Sequence, residues 1–244
     1  MINYFSYPNQ QAIALKKASD KINQSLKLAN TKRKQVLFMI SGGSSLALLS
    51  NIDTENLNKQ ITICPLDERY SLNPKENNMA QIAKTNFYKA ANQKGCNFID
   101  TGIKNSETQN QLATRFNQEL NLWISLNPKG LIIATIGIGP DGHICGIMPF
   151  LENPEKFLEM FDNKDNSSFV IGYDAKEKNP YPKRVTTTMN FVRKINIAIV
   201  YVVGENKLKA LSALKKQKGE LFVSPCRILR EIKGDVFVFT DINN

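Results

Sequence analysis

One histidine and one tryptophan stand in a chain of 244 residues, and the four cysteines lie far apart. Cys64, Cys96, Cys145 and Cys226 never form a C-x-x-C pair, which argues against a disulfide framework and against a cysteine metal cluster. With only His143 to add, no zinc site of the usual composition is expected. No apolar run approaches the ~20 residues that a membrane-spanning helix needs. The amino terminus, Met1–Gln10, lacks a basic segment ahead of an apolar one, so no secretory signal is read and a cytoplasmic protein is expected. Low-complexity segments and internal repeats are also missing.

Charge is not scarce, but it is unbalanced: 32 Lys and Arg against 22 Asp and Glu give a net charge of +10. Such a balance is compatible with nucleic acid or a membrane surface. The basic residues are scattered, however, as in Lys16-Lys17, Lys32-Arg33-Lys34 and Lys215-Lys216, with no aromatic-interleaved stretch. A small anionic substrate is the better reading, with neither nucleic acid nor membrane as partner. Oligomeric state is not legible.

Hydrophobic residues make up 42% of the chain and alternate between two periods. Predominantly apolar, β-branched runs at Val36–Ile40, Ile61–Leu66, Leu131–Ile136, Ile195–Val203 and Val236–Phe239 read as buried strands. Helical spacing marks Pro8–Thr31, Asn77–Ala91, Thr108–Ile124, Pro154–Phe161 and Leu208–Lys216, and Ser224-Pro225 reads as a helix start with Ser224 as N-cap. Phe169–Gly172 and Arg184–Thr188 lean to β, and Asn163–Ser168 reads as a polar turn. Strands alternating with helices imply a single α/β domain over residues 1–244, with a mainly parallel sheet covered by helices on both faces.

Chemistry gathers where strands end, which is where open α/β sheets bind ligands. After Leu131–Ile136 comes a glycine-rich loop holding Asp141 and the lone His143, the side chain best suited to proton transfer near neutral pH. A plain surface turn is the alternative; the spacing of Asp141 and His143 favours a shared site. After Val36–Ile40 comes Ser41-Gly-Gly-Ser-Ser45, a small-residue turn into a helix near Leu46. Its Gly42, Gly43 and Ser44 offer free N–H groups to an anion, without the spacing of a P-loop. After Ile61–Leu66 comes Asp67-Glu-Arg-Tyr70, in which Arg69 is a candidate phosphate clamp and Asp67 either binds a hydroxyl or fixes Arg69. Arg184, beside Lys183, and Lys207, near a helix start where the dipole disfavours a cation, complete the candidate set. Cys145 lies near the loop but lacks the setting of a nucleophile.

In this order, Gly42-Gly-Ser44, Asp67-Glu-Arg-Tyr70, Gly137-Ile-Gly-Pro-Asp-Gly-His143, Arg184-Val-Thr and Gly204-Glu-Asn-Lys207 resemble the 6-phosphogluconolactonase family. That family belongs to one sugar-phosphate superfamily with the glucosamine-6-phosphate deaminases, and the likeness runs from about Val36 to Phe239. Asn78 resembles the asparagine that opens the next helix in lactonases. In deaminases the residue before the loop's last proline is a proton-relaying glutamate; here it is Met148, as apolar as in lactonases. Cys145-Gly146-Ile147 departs from the usual Ala-Ser-Leu, a difference expected to bear on packing.

The resemblance implies a Rossmann-like fold of the sugar-phosphate isomerase/deaminase type. It also implies hydrolysis of 6-phospho-D-glucono-1,5-lactone to 6-phosphogluconate, in the oxidative pentose phosphate pathway, without cofactor or metal. His143 would act as general base on water with Asp141 orienting it, Gly42, Gly43 and Ser44 would receive oxyanion charge, and Asp67, Arg69, Arg184 and Lys207 would bind the substrate. Two alternatives are a glucosamine-6-phosphate deaminase or isomerase, and a sugar-phosphate-binding regulator. The second lacks the appended DNA-binding helix pair that such regulators carry.

Overall fold

A computed structural model of the chain describes residues 2–163 and 168–243, and most of the polar turn read at Asn163–Ser168 lies outside the described residues. In chain order the elements are β1 (Ile2–Ser6), α1 (Gln11–Thr31), β2 (Val36–Ile40), β3 (Ile61–Pro65), β4 (Asp67–Arg69), α2 (Asn78–Ala83), α3 (Asn86–Gln93) and β5 (Asn97–Phe98). There follow α4 (Gln109–Leu126), β6 (Leu131–Gly137), α5 (Pro154–Phe161), β7 (Val170–Asp174), β8 (Lys183–Thr187), α6 (Met189–Val192), β9 (Ile197–Val202), α7 (Leu208–Lys215) and β10 (Asp235–Thr240).

Seven strands form one parallel sheet in the order β1-β10-β9-β6-β2-β3-β5. Successive residues of its central strands point to opposite faces, and both faces are dry. Val36, Phe38 and Ile40 of β2 pack with Ala14, Ala18 and Ile22 of α1 and Phe87 of α3. Leu37 and Met39 pack on the other side with Leu112 and Phe116 of α4, Phe157 of α5 and Leu211 of α7. A strand covered on both sides is apolar on both faces, which is why β2 is an unbroken apolar run. The single α/β architecture therefore agrees with the reading of the sequence, and no helix among the described residues is long and apolar enough to cross a membrane.

The structure corrects several local expectations. The helix read as starting near Leu46 is a 3-10 helix that begins earlier, at Gly43, and runs to Asn51. The helix read at Asn77–Ala91 is two, α2 and α3, because Thr85 caps a new start by accepting from the Tyr88 N–H. Ser224 precedes a 3-10 helix and makes no capping bond; its hydroxyl lies 3.3 Å from the Cys226 thiol. Most consequential, Asp67–Arg69 is a strand. It joins β8 and β7 in a separate antiparallel sheet of order β4-β8-β7.

Candidate active site

The strand order reverses at β2. From β2 the chain proceeds outward through β3 to β5, whereas β6 sits on the other side of β2 and leads to β9. Such a switch point opens a crevice beyond the carboxyl ends of the two strands. The register Ile40↔Thr135 brings the turn after β2 and the loop after β6 side by side, and Ser41 N donates to Thr135 O at 3.1 Å. The turn Gly42–Ser44 and the loop carrying His143 thus line one cleft.

The small antiparallel sheet supplies the cleft's opposite wall. Residues 67 and 69 of β4 share one face by the two-residue period of a strand, and Arg184 of β8 pairs directly with Arg69. Two arginines in register repel each other unless an anion stands between or beside them. Asp67 is that anion within the chain: its carboxylate lies 3.7 Å from an Arg184 guanidinium nitrogen, and both side chains are nearly sealed from solvent. Asp67 therefore does not fix Arg69, as one reading of the sequence had it. Arg69 donates to Glu76 O at 3.0 Å and stacks at 5.1 Å on the ring of Tyr181, a contact no sequence pattern signalled. Arg69 Nε and Arg184 Nε and Nη1 are buried without a hydrogen-bond acceptor among the described residues. Buried guanidinium N–H groups left unpaired are costly, and an anionic ligand would satisfy them. Lys183, the alternative to Arg184, is exposed and outside the cleft.

Lys207, the residue before α7, reaches across the cleft mouth to donate to Ser44 Oγ at 3.3 Å. Burial lowers its pKa, partly opposed by the charge of Asp241. A half-desolvated ammonium at a helix start is electrostatically unsatisfied until an anion arrives.

His143 is held by its own loop. Its Nδ1 lies 2.6 Å from Asp141 Oδ1, and the same oxygen accepts from the His143 backbone N–H at 3.1 Å. Burial raises the Asp141 pKa, but the hydrogen bond and charge of His143 outweigh it and hold the carboxyl below its ordinary value. With Nδ1 occupied, Nε2 is the ring nitrogen left for chemistry. Asp141 itself sits behind the imidazole and does not line the cleft, unlike Gly42, Gly43, Ser44, Asp67, Arg69, His143, Arg184 and Lys207.

The loop's floor depends on two left-handed residues, Cys145 (φ 51°) and Gly146 (φ 78°). Thr186 Oγ1 donates to Cys145 O, and Tyr173, from β7, donates to Gly146 O at 2.5 Å. A Cβ on Gly146 would sit 2.7 Å from Asp67 Oδ2, so the departure from Ala-Ser-Leu reaches the cleft and is not confined to packing. Burial pushes the Cys145 thiol well above its ordinary pKa, with Asp67 adding to the effect, which rules against a thiolate nucleophile. Among the described residues no three His, Cys, Asp or Glu side chains come together as a metal site.

In fold the chain is similar to a 6-phosphogluconolactonase from Shewanella baltica, at TM-score 0.74 and 19% identity over 98% of this chain and 97% of that one. It is also similar to the 6-phosphogluconolactonase of Trypanosoma brucei, at TM-score 0.76 and 14% identity over 98% and 96% of the two chains. The enzyme of Trypanosoma cruzi gives TM-score 0.76 and 18% identity over 98% and 94%. No protein of curated function matches the sequence. The family described as glucosamine-6-phosphate isomerases/6-phosphogluconolactonase matches residues 8–238, almost the full length, and the chain belongs to that family.

Proposed function

We propose that this protein hydrolyses 6-phospho-D-glucono-1,5-lactone to 6-phosphogluconate, with His143 as general base. The observation that carries the reading is the His143–Asp141 pair, 2.6 Å apart, in a cleft walled by Arg69, Arg184 and Lys207. A δ-lactone is an activated ester, so a water molecule and a base suffice. Nε2 of His143 takes a proton from water as its oxygen adds to the lactone carbonyl. Asp141 keeps Nδ1 protonated and steadies the imidazolium. The N–H groups at the start of the 3-10 helix, from Gly42 to Ser44, receive charge developing on the carbonyl oxygen, since the first N–H groups of a helix lack acceptors within it. Collapse breaks the bond to the ring oxygen, which takes the proton from the imidazolium, and the new acid ionises. The phosphate is gripped by the three cations Arg69, Arg184 and Lys207.

Met148 argues against the deaminase alternative. It is fully buried, has no ionisable group and cannot relay a proton in ring opening. The test is turnover of freshly prepared 6-phosphogluconolactone against glucosamine 6-phosphate, with spontaneous hydrolysis subtracted. Lactone consumption without ammonia release is expected. Ammonia release from the amino sugar, or binding of both without turnover, would replace the reading with a deaminase or a sensor.

A further inference from the structure

Between the two cleft residues Asp67 and Arg69 lies Glu68, which the strand period turns the opposite way, into the interior, where it is fully buried. No cation lies within ion-pairing distance of it among the described residues. Four donors surround it instead. One carboxylate oxygen accepts from Asn78 N at 2.5 Å and Arg69 N at 2.8 Å. The other accepts from Met79 N at 2.9 Å and Thr101 Oγ1 at 2.8 Å. Asn78 and Met79 open α2, so the carboxylate ties that helix to the backbone of β4. The tie is then passed on. Asn78 Nδ2 donates to Asp67 O at 2.8 Å, and Asn78 Oδ1 presses against Gly42, where a Cβ would collide with it.

We propose that Glu68 is a positioning residue for the substrate cleft: through Arg69 N and Asn78 it sets Arg69, Asp67 and Gly42 where they meet the anionic substrate. A carboxylate accepting several N–H bonds imposes a fixed geometry on each donor. Glutamine at this position fails at that task, because its amide presents a second pair of donors to groups that are themselves donors. The proposal rests on the lactonase reading only for the choice of probe.

The test is Glu68→Gln, with Thr101→Val as a milder variant that removes one of the four donors and nothing from the cleft. The probe is 6-phosphogluconate, titrated by calorimetry against the full chain above the range in which Glu68 ionises, so that the result does not depend on turnover. A parent that binds the probe but turns over no lactone counts against the lactonase reading and leaves this test intact. Glu68→Gln should weaken binding at least 10-fold and Thr101→Val about 3-fold. With lactone as substrate, KM should rise in parallel and kcat should fall with it, since Gly42 also supplies an N–H to the developing oxyanion. A merely structural role predicts instead a smaller active fraction with Kd and KM unchanged. That outcome in a folded Glu68→Gln protein overturns the proposal. If Glu68→Gln does not fold, parent-like binding by Thr101→Val overturns it equally.

Discussion

The imidazole of His143 occupies the space that a side chain on residue 139 would take. A Cβ on Gly139 would overlap ring atoms Cε1 and Nδ1 and stand 2.8 Å from Asp141 Oδ1. Gly139 N also donates to His143 O at 3.0 Å, closing the loop on itself. The glycine is required by the histidine's position and not by its own backbone, which lies outside the left-handed region.

Gly139→Ala should therefore fold but displace the base. The expected result is a parent-like circular dichroism spectrum with kcat lowered about 10²-fold, the order of loss that a ~1 Å misplacement of a reacting group causes. Unchanged kcat would mean that the imidazole position is not critical.

Asp141→Asn should lower kcat about 10²-fold with KM little changed. The amide no longer favours the tautomer with its proton on Nδ1, nor does it stabilise the imidazolium. The carboxylate is 43% exposed, so the loss should be smaller than for a buried triad partner. Because its pKa is depressed, Asp141's stabilising contribution is present above the ordinary carboxylate range and is lost only as pH falls through the lowered value. Through the neutral range it should stay ionised.

Glu68 gives the opposite sign. Burial pushes its pKa up to about 7 against the four hydrogen bonds that lower it. The folded state thus holds a proton that the unfolded chain releases near 4.5, and stability should fall as pH rises from there to about 7. The size is on the order of 3 kcal/mol across the window. Denaturant unfolding of the parent and of Glu68→Gln across that range checks it: the parent's stability should fall relative to the variant's. Parallel curves would contradict the assignment.

Alanine at Arg69, Arg184 or Lys207 should raise KM for the phosphorylated lactone far more than for unphosphorylated gluconolactone, because contacts to the phosphate hold ground and transition states alike. Arg184→Ala should also destabilise the fold by about 3–5 kcal/mol, since Asp67 is then left buried without its partner. Equal losses on both substrates would move the residue in question to the reacting centre.

Much of this was legible in the chain. β2, β3, β6, β9 and β10 were readable to within about two residues because burial on both faces leaves them predominantly apolar and β-branched. Thr108 was readable as the start of α4, where it forms a capping box with Gln111. The edge strand β1 was not, because its side chains are half-covered and mixed in character. Nor was β4, since a strand reading Asp-Glu-Arg has no hydrophobic signature and is stabilised by pairing with β8. That omission hid the second sheet, and with it the facing of Arg69 by Arg184. Every cleft residue named from sequence lies in or directly behind the cleft, whereas Glu68, Tyr181 and Gly139 were missed. Glu68 could have been found from strand period alone, had 67–69 been taken as a strand. Tyr181 depends on a loop conformation that no short pattern specifies.

Everything proposed for the cleft turns on His143 as the base of a lactonase. The direct measurement is kcat for freshly made 6-phosphogluconolactone with the parent and with His143→Gln, each corrected for spontaneous hydrolysis. Clear turnover by the parent is expected, with a loss of about 10²–10⁴-fold in a folded variant that still binds 6-phosphogluconate. A parent no faster than the uncorrected background, or a variant that keeps near-parent kcat, would contradict it.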